Sequence, residues 1–190
     1  MNKLLFILLL FSATLFAEDK RLICAACHGA HGISVNPQWP NIAGQNSHYF
    51  SKQLNDMKTA RRDPGTMAGI LNTFSEQDID DLAEYYAKMP AAQGVTAQQF
   101  LKRGQQLYRG GDMSMRITAC IACHGPKGTG NNQAGFPQIA GQHARYTIEQ
   151  LTAFKEKKRT NDLNHIMQDI SGRMSKEDIE AVAHYIEGLY

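Results

Sequence analysis

The sequence predicts an all-α protein built from two tandem, similar helical domains, and three observations carry that reading. Cys24-Ala-Ala-Cys27-His28-Gly29 returns as Cys120-Ile-Ala-Cys123-His124-Gly125 at an offset of 96, and Pro40-Asn-Ile-Ala-Gly-Gln45 returns as Pro137-Gln-Ile-Ala-Gly-Gln142 at 97. Apolar residues recur at three- and four-residue spacings, with no sustained two-residue alternation that would call for strands. Ser75-x-x-Asp78 and Ser175-x-x-Asp178, 100 residues apart, open the last helix of each half in capping-box form. Two copies are too few for a solenoid, so a duplicated domain is the natural reading.

Taken in order, the chain begins with Lys3, an apolar run from Leu4 to Phe16 and a small residue at Ala17, the order of a secretory signal peptide cleaved after Ala17. About 13 apolar residues are fewer than the ~20 needed to span a bilayer, so cleavage is expected over retention as an anchor. What remains carries 19 Lys+Arg against 18 Asp+Glu, and that balance gives no reason to expect nucleic acid. The first domain is placed at residues 18–90, a linker at 91–95 and the second domain at 96–190. Apolar stripes Ile79, Leu82, Ala83, Tyr86 and Ile179, Val182, Ala183, Ile186 follow the two capping boxes, with Pro90 and Gly188 as stops. Thr96-x-x-Gln99 reads as a further box, opening a helix through Leu107 and Tyr108 that Gly110-Gly111 ends.

All four cysteines of the chain fall in the two Cys-x-x-Cys-His motifs. That spacing sets two thiols one helical turn apart, where they can form thioethers with the vinyl groups of a haem while the next residue offers imidazole to the iron. A structural zinc site would bring its cysteine pairs 15–20 residues apart, and a dithiol redox motif expects a βαβ context. Two disulfides would suit an exported chain but leave the repeated histidine unexplained. Covalent haem at Cys24, Cys27, Cys120 and Cys123, with His28 and His124 on the iron, is therefore expected. Small domains also need such a staple, because they bury little apolar surface alone.

The repeat then selects the opposite ligand. Met57, Met89 and Met174 align with Phe154, Leu189 and Phe74 and read as core, since methionine exchanges with bulky apolar residues in packed interiors. Only Met67 and Met167 align with each other, each eight residues before its capping serine. They are the expected distal ligands. No remaining histidine repeats; His165 is near enough to Met167 to compete, and the rest read as surface residues. Pro40 and Pro137 are expected to present the carbonyl that orients each ligand histidine. Trp39 and Phe136, just before them, pack either on haem or in the core. Lys155, Lys157, Lys158 and Arg159 read as a solvated helix face, with docking of an acidic partner as the alternative.

With these motifs in place the chain resembles the class I cytochrome c fold twice over, one covalent haem per domain, and in arrangement it is similar to the cytochrome c4 family of dihaem cytochromes. The resemblance implies a periplasmic carrier whose two domains face each other about a pseudo-twofold axis. It also implies redox partners such as a quinol–cytochrome c oxidoreductase and a terminal oxidase, with peripheral association at the membrane as a further expectation. The cytochrome subunit of a flavocytochrome c sulfide dehydrogenase is similar in size and pattern and stands as the alternative. A peroxidase or gas sensor would need an open iron position, which a His/Met pair closes.

Overall fold

A computed structural model describes residues 20–190; the expected signal peptide at 1–17 lies outside them. The helices are α1 (residues 20–28), α2 (Ser47–Lys58), α3 (Glu76–Ala87), α4 (Gln98–Gly110), α5 (Ile121–His124), α6 (Ala144–Lys155), α7 (Ile166–Gly172) and α8 (Lys176–Glu187). Among the described residues β pairing is confined to two isolated bridges, Asp112 with Ile117 and Asn131 with Phe136.

Two separate apolar cores form, one per repeat. In the first, Phe50 and Leu54 of α2 pack with Phe74 and with the Ile79, Leu82, Ala83, Tyr86 stripe of α3. In the second, Leu107 and Tyr108 of α4 and Leu151 of α6 pack with Met174 and with Ile179, Val182 and Ile186 of α8. Phe74 and Met174, aligned by the repeat, are both 2% exposed. Both expected capping boxes close: the Ser75 and Ser175 hydroxyls accept from the backbone N–H of Asp78 and Asp178, whose carboxylates accept the serine N–H in return.

Those aspartates do a second job, tying the first helix of each domain to the last. Lys20 pairs with Asp78, and Arg103 donates to Asp178 at 2.7 Å and to Asp112 at 2.9 Å. Where α4 crosses α8, Gly104 admits the contact: a Cβ there would lie 2.4 Å from the Ala181 carbonyl oxygen.

Thr96 does not cap α4. The cap position is Ala97, with no side-chain bond, because the Thr96 hydroxyl instead donates to the Tyr185 carbonyl (3.4 Å) and holds the connecting chain against α8. That connection is a wedged strap. Ala92 is buried, and a Cβ on Gly141, whose φ is +68°, would fall 1.8 Å from the Ala92 carbonyl oxygen. The glycine amides of the two Ile-Ala-Gly segments anchor each loop to its last helix, Gly44 to the Tyr86 carbonyl (2.8 Å) and Gly141 to the Ile186 carbonyl (3.0 Å).

Candidate functional site

Each Cys-x-x-Cys-His motif sits in a helical turn, in α1 and across α5, so that its thiols and imidazole share one short stretch of backbone. All four cysteines are half-buried and none is disulfide-linked. Burial pushes the Cys24 and Cys120 thiols up to about 11. No three His, Cys, Asp or Glu side chains among the described residues converge as a metal cage. The surroundings that bury the thiols suit an apolar macrocycle.

The histidines are positioned as the sequence suggests. His28 Nδ1 lies 2.8 Å from the Pro40 carbonyl oxygen, and His124 Nδ1 lies 3.0 Å from that of Pro137. A carbonyl only accepts, so each Nδ1 carries the proton and Nε2 keeps its lone pair free for a metal. Burial, the larger influence, lowers both imidazole pKa values against the opposing pull of the proline carbonyl. The ring is thus held neutral, the form that ligates iron.

Met67 ends a 3₁₀ turn, Gly65–Met67, and packs against the same core as Cys24. Met167, at the start of α7, packs against the same core as Cys120. Its amide is caged by Asp162, whose carboxylate accepts from Met167 and Gln168 N–H at 2.9 and 3.1 Å. His165, the expected competitor, is exposed and its Nδ1 is 2.7 Å from Gln168 Nε2. Trp39 and Phe136 are half-buried and outside both apolar cores. A cysteine pair with a neutral, oriented imidazole beside it, and a thioether on the apolar cluster that the first cysteine also touches, occur twice and form a donor set that fits covalent haem.

What the sequence did not reveal is how the two sites are joined. Gln45 Oε1 accepts from the Gln138 amide (2.9 Å) and Nε2 donates to the Gln138 carbonyl (2.8 Å); Gln142 makes the same two bonds to Asn41, at 2.9 and 2.8 Å. Reciprocal bonds between aligned residues are what a pseudo-twofold axis produces. Beside them Arg62 and Arg159, also aligned, both donate to Gln53 and Gln150, while Arg62 reaches the Tyr146 hydroxyl and Arg159 that of Tyr49, each at 2.9 Å. Burial would raise the Tyr49 phenol, but the Arg159 and Arg62 guanidiniums bring it below its ordinary value.

Arg159 thereby leaves the solvated face expected for the 155–159 cluster. It is 8% exposed and lies over the Phe154 ring, because its guanidinium reaches across to Tyr49 and Gln53 of the facing domain. His143 is likewise no surface histidine: its Nε2 lies 2.9 Å from the Ser34 carbonyl oxygen across the seam. No buried side-chain N or O among the described residues lacks a partner, so the polar seam buries its side chains without leaving a donor or acceptor unpaired.

Comparison with known proteins gives a consistent picture. The cytochrome c family model matches twice, over residues 13–90 and 101–189. The chain is 42% identical over 174 residues to a cytochrome c4 of Pseudomonas aeruginosa, covering 91% of this chain and 87% of that one. It is 34% identical over 185 residues to a thiosulfate dehydrogenase electron acceptor of Stutzerimonas stutzeri, covering 91% and 82%. Among solved structures, reduced recombinant cytochrome c4 from Pseudomonas stutzeri superposes with a TM-score of 0.87 at 40% identity, covering 92% of this chain and 98% of that one.

Proposed function

The chain belongs to the cytochrome c4 family of dihaem electron-transfer cytochromes, and from that premise we propose that it works in the periplasm, carrying electrons from a quinol–cytochrome c oxidoreductase toward a terminal oxidase. Two covalently attached haem c groups supply one-electron exchange between ferric and ferrous iron. We assign Cys24 with Cys27 and Cys120 with Cys123 to their attachment; His28 and His124 would each offer an imidazole nitrogen to the iron of their domain, and Met67 and Met167 would each offer a thioether sulfur.

The protein's own contribution is orientation and exclusion. The Pro40 and Pro137 carbonyls fix the tautomer and plane of each imidazole, and the apolar clusters behind the methionines keep water from the other side. With a histidine and a methionine both held by the iron, no position would be left for a substrate, which favours electron transfer over peroxide or gas chemistry. The observation that carries this reading is the duplicated histidine–proline bond, since two like-built sites joined by one seam suit a relay.

The thiosulfate dehydrogenase electron acceptors among the relatives support a second reading, in which the donor is a sulfur-compound dehydrogenase. Stopped-flow reduction of the purified holoprotein separates the two. Fast reduction by a quinol-oxidising complex followed by oxidation by a terminal oxidase is expected; reduction by a thiosulfate-oxidising dehydrogenase alone would move the assignment to the second reading.

A further inference from the structure

The seam bonds fall on particular peptide groups. The peptide joining Pro40 to Asn41 uses its carbonyl oxygen to accept His28 Nδ1–H and its N–H to donate to Gln142 of the facing domain. The peptide joining Pro137 to Gln138 is used the same way, by His124 on one side and Gln45 on the other. In each case one amide links the ligand histidine of one domain to a glutamine of the other.

Resting on the haem assignment above, we propose that Gln45 and Gln142 are cross-domain positioning residues, each setting the reduction potential of the iron held by the other domain. An acceptor on an amide N–H polarises that amide and makes its carbonyl oxygen a stronger acceptor, since hydrogen bonds in series reinforce each other at low dielectric. A stronger acceptor draws the Nδ1 proton and makes the imidazole a better electron donor to the metal. Better donation stabilises the ferric state, so each glutamine lowers the potential of the opposite haem. Gln142, Asn41 and Gln138 are all buried, so water does not substitute for the missing partner.

The test uses Gln142→Met and Gln45→Met in the dihaem protein, which remove the acceptor at similar side-chain size, together with Gln142→Glu, which keeps Oε1 and adds charge. Potentiometry is read beside the ring Nδ1–H proton resonances of His28 and His124 in the diamagnetic ferrous protein. For Gln142→Met the expected result is a raised N-terminal potential and a moved His28 resonance, with the His124 resonance in place; for Gln45→Met, the converse. Gln142→Glu should lower the N-terminal potential and move the His28 resonance in the opposite sense, so the idea stays testable if a Met variant does not fold. Changes confined to the glutamine's own domain, or none in either resonance, would overturn the proposal. Loss of haem or of the His28 signal altogether would instead strike at the ligand assignment.

Discussion

At the scale of single residues, the proposed methionine ligands are the most exposed to test. Met67→Ala and Met167→Ala should each remove about half of the methionine–iron charge-transfer absorption and open one iron to an added ligand such as imidazole. An unaltered spectrum in either variant would mean that another side chain holds that position. Titration of carboxylates supplies a second expectation. Burial opposes ionisation of Asp78, but Lys20 and Ser75 together lower its pKa to about 2 from an ordinary 3.8, and Ser114 and Arg103 bring Asp112 to about 2 as well. A depressed folded-state pKa contributes stability that is complete above the unfolded value and is lost as pH falls through the folded one. Denaturant midpoints should therefore hold above pH ~5 and fall steadily between pH ~4 and ~2. Asp78→Asn, which cannot titrate, should flatten part of that slope; an unchanged slope would show that Asp78 is not the group responsible.

At the scale of helices, the legibility of the sequence divides by the range of the interaction that decides each feature. Capping boxes are local, and both Ser75 and Ser175 close as their spacing predicts. The same spacing at Thr96 misleads, because a distant carbonyl, that of Tyr185, takes its hydroxyl. Arg159 and His143 were illegible for the same reason: the contacts that draw them into the seam, to Tyr49 and Gln53 and to Ser34, are more than 100 residues away. The ligand-orienting prolines were readable because the duplication supplied each motif with its own control. This contrast has a measurable form. Ser75→Ala should cost about 1 kcal/mol of stability, the usual worth of an N-cap, whereas Thr96→Ala should cost clearly less, its hydroxyl making one long bond. Equal losses in thermal or denaturant unfolding would restore Thr96 as a cap.

At the scale of the whole molecule, the two halves differ in charge although their sites are alike. Residues 18–92 carry 7 Lys+Arg and 9 Asp+Glu (7 − 9 = −2), and residues 93–190 carry 12 and 9 (12 − 9 = +3). A negative environment favours ferric iron, so the N-terminal haem is expected to have the lower potential, within the limit that salt screens charges beyond about 10 Å. Potentiometric titration, with each haem identified through its methionine variant, checks the order; a higher N-terminal potential would show that the immediate haem surroundings outweigh domain charge. The wedged strap has a kinetic consequence of its own. With Ala92 buried against Gly141 and the seam glutamines engaged on both sides, neither half has to diffuse to meet the other. With both haems attached, exchange between the two irons should then be first order, unaffected by dilution or by viscogens such as glycerol, while the encounter with any outside partner should slow with both.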